Sequence, residues 1–206
     1  LDEDHWPRQH ESVGSISDVD PELVRPKLVC VTHVETTQDW HGFDELCLRA
    51  ATFGALRRKV AWLRRFLAVV IRRQPVAGPL LVDELNDAEM AICRAVQRGA
   101  FAEEIRMLQS GKPLPERSSL FRLSATLVND LVRTGSRLIG SVLESEGDAP
   151  IILPGNSRVA ELLILQAHTN NLHCGNNYTL SMLRHRYWIV GARQLIKRTI
   201  SQCIPC

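Results

Sequence analysis

Apolar residues recur at spacings of three and four along Leu46, Ala50, Phe53, Leu56, Val60, Leu63, Leu67 and Val70. This is the period of one helical face, and it predicts a long amphipathic helix over residues 44–72 that packs on a partner helix. The opposite face carries Arg57, Arg58, Lys59, Arg64, Arg65, Arg72 and Arg73, a density of charge that excludes a membrane span. Water alone can satisfy such a face, and phosphate is the other partner it would suit.

Prolines at 75 and 79 interrupt the pattern. Asn86 then stands where an N-cap belongs, with Glu89 three residues later in the reciprocal position, and Ile92, Val96, Phe101, Ile105 and Leu108 carry a second helix to Gly111. Gly99 costs this helix about 1 kcal/mol relative to alanine and marks a place for a kink. Two helices joined by a proline-containing loop predict an antiparallel hairpin. After Pro115 come short extended runs at 119–123, 126–128, 131–133 and 137–139, divided by Gly135 and Gly140, which predict a small antiparallel sheet. An acidic loop with Glu144, Glu146 and Asp148 leads to another short strand at 151–154. Gly155-Asn156-Ser157 then offers a cap for a helix with Val159, Leu162, Leu163 and Ala167 on one side. Residues 1–40 hold Pro7, Pro21 and Pro26 and no sustained period, with one candidate strand at 28–34. The fold class expected is mainly α with a small antiparallel β portion: a helical hairpin, then, around His168, His173, Cys203 and Cys206, a small zinc-stabilised helical bundle. The expected division is an irregular connector at 1–41, a helical and mixed connector domain at 42–148, and a zinc-binding domain at 149–206 that stops at its last ligand.

The chemistry is concentrated in the last fifty residues. His168 and His173 are followed, after a helix-sized insert, by Cys203-x-x-Cys206. Two nitrogen and two sulfur donors are the set a closed structural zinc site prefers. Positions 168 and 173 are five residues apart, about 140° round a helix, so one unbroken helix cannot aim both rings at one ion. The helix must end between them, and Thr169-Asn170-Asn171 supplies the break, with Gly175 giving freedom for the next turn. The next segment holds Thr179, Leu180, Met182 and Leu183. Leu195, Ile196 and Ile200 recur at helical spacing and bring Cys203 to the end of a last helix. His185, between basic residues, reads as a surface residue, and Cys174 has the wrong spacing for a ligand. Cys30, His33, His41 and Cys47 lack framework residues and do not make a second site.

The run His168-x4-His173-Cys174-Gly175, Thr179, Leu183-Arg184-x-Arg186-Tyr187-Trp188-Ile189, Gly191 and Cys203-x2-Cys206 resembles the His-His-Cys-Cys zinc domain at the front of retroelement integrases. It is similar to the version found in BEL/Pao-type LTR retrotransposon polyproteins. Phe53, Val60-Ala61-Trp62, Arg65-Phe66, Ala88-Glu89 and Arg133-Thr134-Gly135-Ser136-Arg137-Leu138 resemble the segment that precedes this domain in those elements, between ribonuclease H and the integrase core. A Gly-Gly-Arg run is replaced here by Gly135-Ser136-Arg137. The resemblance implies one structural zinc ion, a role in integrase multimerisation and a grip on the ends of the element's DNA. It also implies that cutting and joining belong to a metal-binding carboxylate core that follows the zinc module.

Charge supports a nucleic-acid partner at this end. Residues 158–206 carry +5 and residues 1–157 carry −3, within a formal net charge of +2 for 206 residues. Arg184, Arg186, Lys197 and Arg198 are the candidate phosphate contacts. Six cysteines without a secretory leader favour metal binding and buried thiols over a disulfide framework, and so an intracellular protein, nuclear or cytoplasmic, not membrane-bound. No phosphate-binding glycine loop, His-Glu-x-x-His or nucleophile elbow is present, so no enzyme is expected. Leu1 in place of methionine suggests a piece of a longer polyprotein. Two other readings fit the sequence: an interaction or multimerisation module working through the 44–72 helix without DNA, self-associating or binding other polyprotein domains, and a decayed element copy.

Overall fold

The computed structural model describes residues 41–72, 78–135 and 149–206. The candidate strand at 28–34, the run at 137–139 and the turn at Ser136 lie outside the described residues. The periodic stretch forms two helices, α1 (His41–Leu48) and α2 (Phe53–Arg72). The single helix expected over 44–72 is broken because Thr52 takes the N-cap role, its Oγ1 accepting the Ala55 N–H at 3.1 Å.

The hairpin is formed by α2 with α3 (Val82–Ala100). Its second helix starts earlier than Asn86. The Glu84 carboxylate accepts the Leu81 backbone N–H at 2.8 Å, and Asp83 and Glu84 place negative charge on the first turn. Arg65 clamps this start: it pairs with the Glu84 carboxylate and donates to the Gly78 and Pro79 carbonyls at 2.7 and 2.9 Å. That guanidinium, first by its hydrogen bond, holds the Glu84 carboxyl at about 2. Glu89, read from sequence as a cap partner, is instead buried at mid-helix. The helix does not run to Gly111; it breaks at Phe101, two residues after Gly99, and α4 (Ala102–Gln109) follows. Phe101 is buried there, and its N–H still bonds Gln97 O at 2.7 Å.

Strand β1 (Thr126–Val128) and β2 (Leu131–Arg133) form an antiparallel two-residue hairpin. Asn129 and Asp130 both take positive φ, 52° and 60°, as a type I′ turn requires and as these short polar side chains tolerate. The run at 119–123 is not a strand; Phe121–Leu123 is one turn of 3-10 helix. Next in the sheet come β3 (Ile151–Leu153), antiparallel to β2, and β4 (Tyr187–Ile189), parallel to β3. The parallel pair was not expected. It is possible because α5 (Arg158–Asn170) and α6 (Asn176–Arg184) form the crossover that a parallel connection requires. Helix α7 (Ala192–Ile200) follows β4.

One core joins these pieces: Phe53, Leu56 and Val60 of α2, Ile92 of α3, Ile151 and Leu153 of β3, Leu162 and Ile164 of α5, and Ile196 of α7. A smaller cluster, Phe101, Leu120, Val132 and Ile152, lies on the other side of the sheet. Gln97 stitches α3 to the sheet. Fully buried, its side chain donates to Val132 O and Ile152 O at 2.8 and 2.7 Å and accepts from Val132 N at 2.9 Å. Every polar atom of that amide is thus compensated for the water it loses. The expected apolar stripe on α2 is only half used. Its first half is buried, whereas Leu63, Leu67 and Val70 are exposed. No helix among the described residues is long and apolar enough to cross a membrane.

Candidate metal centre

His168 is delivered by α5, whose start is well defined. Ser157 Oγ caps it by accepting the Ala160 N–H at 3.2 Å. Gly155 precedes it where a Cβ would lie 2.1 Å from Val190 O, so only glycine lets the chain leave β3 this close to the end of β4.

The helix ends between the two histidines, but not through the asparagines. Asn171 keeps φ at −107° and uses its side-chain Nδ2 to donate to Ala167 O at 2.7 Å. Leu172 and His173 take the left-handed conformation instead, with φ of 54° and 59°. His173 N–H then reaches back to His168 O at 2.8 Å, a six-to-one closure of the kind that ends many helices. Gly175 has an ordinary φ of −70°, so its conformational freedom is not used; it begins α6.

Left-handed backbone is costly for a leucine, and the Leu172 side chain is 93% exposed with no packing to repay it. Replacing Leu172→Gly is expected to stabilise the protein by about 0.5–1 kcal/mol, the strain relieved less the entropy glycine adds to the unfolded chain. A rise in urea midpoint at unchanged zinc content is the readout. A fall would mean that the leucine side chain contributes something the backbone argument misses.

Cys174, excluded from the ligand set, has another role. Its carbonyl lies 2.9 Å from His168 Nδ1, which sets that nitrogen as the donor and leaves Nε2 free to face the site. Its thiol lies 3.2 Å from Thr179 Oγ1, and that hydroxyl also donates to Gly175 O at 3.2 Å, so the buried Thr179 ties the loop to α6. On the other side, Gly191 takes a φ of 71° to begin α7, and the chain turns at its end. Cys203 N–H bonds Ile200 O at 3.0 Å and Cys206 N–H bonds Cys203 O at 3.1 Å, folding the two thiols toward the histidines.

Four donor atoms converge as a result. His168 Nε2, His173 Nδ1, Cys203 Sγ and Cys206 Sγ all lie within 4.8 Å of one another. His168 Nε2 is 3.2 Å from His173 Nδ1 and 3.3 Å from Cys206 Sγ, and His173 Nδ1 is 3.3 Å from Cys203 Sγ and 3.7 Å from Cys206 Sγ. The edges of a zinc tetrahedron with ordinary nitrogen and thiolate bond lengths are about 3.3–3.8 Å, close to these four separations. The imidazole rings stand at 89° to each other, which aims both nitrogens inward without stacking. His168 is fully buried and Cys206 exposed, so the site lies at the edge of the helical layer. Partial desolvation, then the hydrogen bond and charge of Cys203, hold the Cys206 thiol above its ordinary value. A cation between the four would favour the thiolates. The cluster could hold one zinc ion, and its four protein donors leave no coordination position for a substrate.

The candidate phosphate contacts are placed differently from one another. Arg184 lies over the Trp188 ring at 5.0 Å. Arg186 pairs with Glu89 at 2.8 Å, and Arg198 with Glu161 at 2.9 Å. Lys197 is exposed on α7, and so is His185 after α6. Sequence reasoning missed the partner that Arg186 has taken. Glu89, 2% exposed on α3, also accepts from Arg57 at 2.9 Å and from the Tyr187 hydroxyl, and joins the hairpin to β4. Burial, then the negative charge around it, raises the Tyr187 phenol far above its ordinary value, so it stays protonated and donates. Cys47 and Cys93 are buried thiols, pushed up to about 11 and about 12 mainly by desolvation, which makes them inert.

No curated protein and no solved structure matches the chain. Residues 156–206, a stretch that begins just before the cap of α5 and takes in all four donors, match the family model of the integrase zinc binding domain.

Proposed function

We propose that this chain is a non-catalytic piece of a BEL/Pao-type retrotransposon polyprotein, from the region between ribonuclease H and the integrase core. In this reading residues 1–41 are a connector, 42–148 a helical and mixed connector domain, and 149–206 the zinc domain. His168, His173, Cys203 and Cys206 hold one structural zinc. The zinc domain supports integrase multimerisation and contacts the element's DNA ends, and the cutting and joining chemistry comes from a carboxylate core that is not among these residues. The convergence of the four donors inside the integrase-type match is the observation that carries the reading.

Of the four cations read as phosphate contacts, Lys197 and Arg184 are best placed to serve DNA, because Arg186 and Arg198 already pair with carboxylates. The test is binding of the zinc-loaded chain to a labelled duplex with an exposed end, titrated with salt. Affinity is expected to fall steeply with salt, and Lys197→Ala to reduce the salt slope by about 1 while weakening all sequences alike. Affinity that is flat in salt, or a Lys197→Ala variant with the parent slope, would remove the DNA contact from the reading.

A second reading, an interaction module working through the helical segment at 44–72, is favoured by one observation. The second half of α2 exposes Trp62, Leu63, Phe66, Leu67, Val70 and Ile71 on consecutive turns.

A further inference from the structure

The six exposed side chains are not scattered. At 100° per residue Trp62, Phe66, Val70, Leu63, Leu67 and Ile71 occupy one continuous half of α2, and their exposures run from 45% to 77%. Together they present roughly 700 Å² of apolar surface, beyond the few hundred a monomer ordinarily leaves open. The hairpin partner α3 does not lie against this half. It packs on the side marked by buried Ala61 and by Arg57 and Arg65, which reach Glu89 and Glu84 on α3. The open half continues the stripe of Phe53, Leu56 and Val60, whose part of α2 packs with α5. Among the described residues, the same helix therefore uses one stripe for helix–helix packing at its start and leaves it uncovered at its end.

Charge narrows the occupant. Helix α2 has six basic residues and no acid, and with Arg57 and Arg65 paired, Arg58, Lys59 and Arg64 stand exposed around the apolar stripe. A second copy docking α2 against α2 would oppose like charges across the seam. Bases could stack on Trp62 and Phe66, but nucleic acid would leave the four aliphatic side chains, Leu63, Leu67, Val70 and Ile71, without a partner.

We propose that the second half of α2 is a docking face for an amphipathic helix with acidic flanks, supplied by a partner protein. This deepens the interaction-module reading and rests on it. The partner's apolar residues, at spacings of three and four, cover Leu63, Phe66, Leu67 and Val70, continuing the packing that the first half of α2 makes, and its carboxylates meet Arg58, Lys59 and Arg64. Docking adds a helix beside α2 on the side away from α3.

The test uses the full zinc-loaded chain and two synthetic helical peptides with the same leucine stripe, one flanked by glutamates and one by lysines. Binding is read by calorimetry, with sedimentation velocity and flotation on phosphatidylserine vesicles in parallel. The glutamate peptide is expected to bind about tenfold or more tighter than the lysine peptide, and to lose about tenfold with Phe66→Asp and with the Arg58→Glu, Lys59→Glu pair, the circular dichroism unchanged. Equal binding of both peptides, or binding indifferent to Phe66→Asp, overturns the proposal. Self-association that Phe66→Asp abolishes, with no preference for the acidic peptide, overturns it while the interaction-module reading survives. Vesicle binding alone, or no binding of any kind, sinks both.

Discussion

Stripping metal from the purified chain with a strong chelator should release one equivalent of zinc and melt α6 and α7, while α2, α3 and α5 keep their helix. The four donors come from the end of α5, the turn after it, and the turn after α7, so the ion is the link that closes residues 168–206 into a ring. Small zinc modules gain roughly 10–16 kcal/mol from the ion at neutral pH, as much as a whole domain's net stability. α7 buries only Leu195, Ile196 and Thr199, too little to hold nine residues helical against the entropy of ordering them. α7 places Leu195 and Ile196 in the same core, but α5 buries twice as many side chains, Val159, Ala160, Leu162, Leu163, Ile164 and His168, and packs on α2 as well. Hydrogen exchange after chelation should therefore show amides exposed in residues 173–184 and 191–206 and protected in 158–168 and in β4, which stays paired to β3. Cys206→Ser should give the same pattern and retain less zinc at equilibrium dialysis. A helix signal and an exchange pattern indifferent to chelation would mean that the four donors do not bind the ion.

Glu89→Ala is expected to cost about 2–4 kcal/mol, an effect on the scale of truncating a large core side chain. The carboxylate is almost fully enclosed and satisfied by Arg57, Arg186 and the Tyr187 hydroxyl. Removing it leaves two guanidinium groups without their counter-charge and a phenol without its acceptor. The cost stays toward the lower end of what a broken buried pair gives, because Arg57 and Arg186 are 30% and 53% exposed and can turn to water. Glu89→Gln keeps the shape and should lose less. Tyr187→Phe should lose about 1 kcal/mol, one hydrogen bond. Urea denaturation of the zinc-loaded variants measures all three, and a Glu89→Ala midpoint equal to the parent's would show that the network contributes nothing net. Because Tyr187 begins the strand that leads into α7, Glu89→Ala should also weaken zinc retention, which a chelator competition would detect.

The zinc centre was legible for a physical reason. Ligand chemistry fixes both the residue types and the short intervals between them, so His168, His173, Cys203 and Cys206 declare themselves without any knowledge of packing. Strands β1, β2 and β3 and the cap at Ser157 were legible too, because turn and cap chemistry is local. What failed depended on competition. Asn86 with Glu89 and Leu81 with Glu84 both offer a carboxylate three residues into a helix. The choice went to Glu84 because Arg65 of α2 clamps it, a contact 19 residues away along the chain. The same holds for the reversal after α5: two asparagines tolerate the left-handed region better than Leu172 and His173 do, yet the inward aim of the His173 ring requires those two residues to adopt it.

Coordination, capping and two-residue turns are settled within a few residues of the chain, so the chemistry this protein carries and the local elements that deliver it can be read without a structure. How those elements share a core emerges in the folded chain alone: β4 pairs parallel to β3, Glu89 and Gln97 are buried joints between the hairpin and the sheet, and half of the α2 stripe is left open by the described residues. The physical reason is that burial and ion pairing are properties of pairs distant in sequence, and a helical period announces an apolar face without saying what, if anything, covers it.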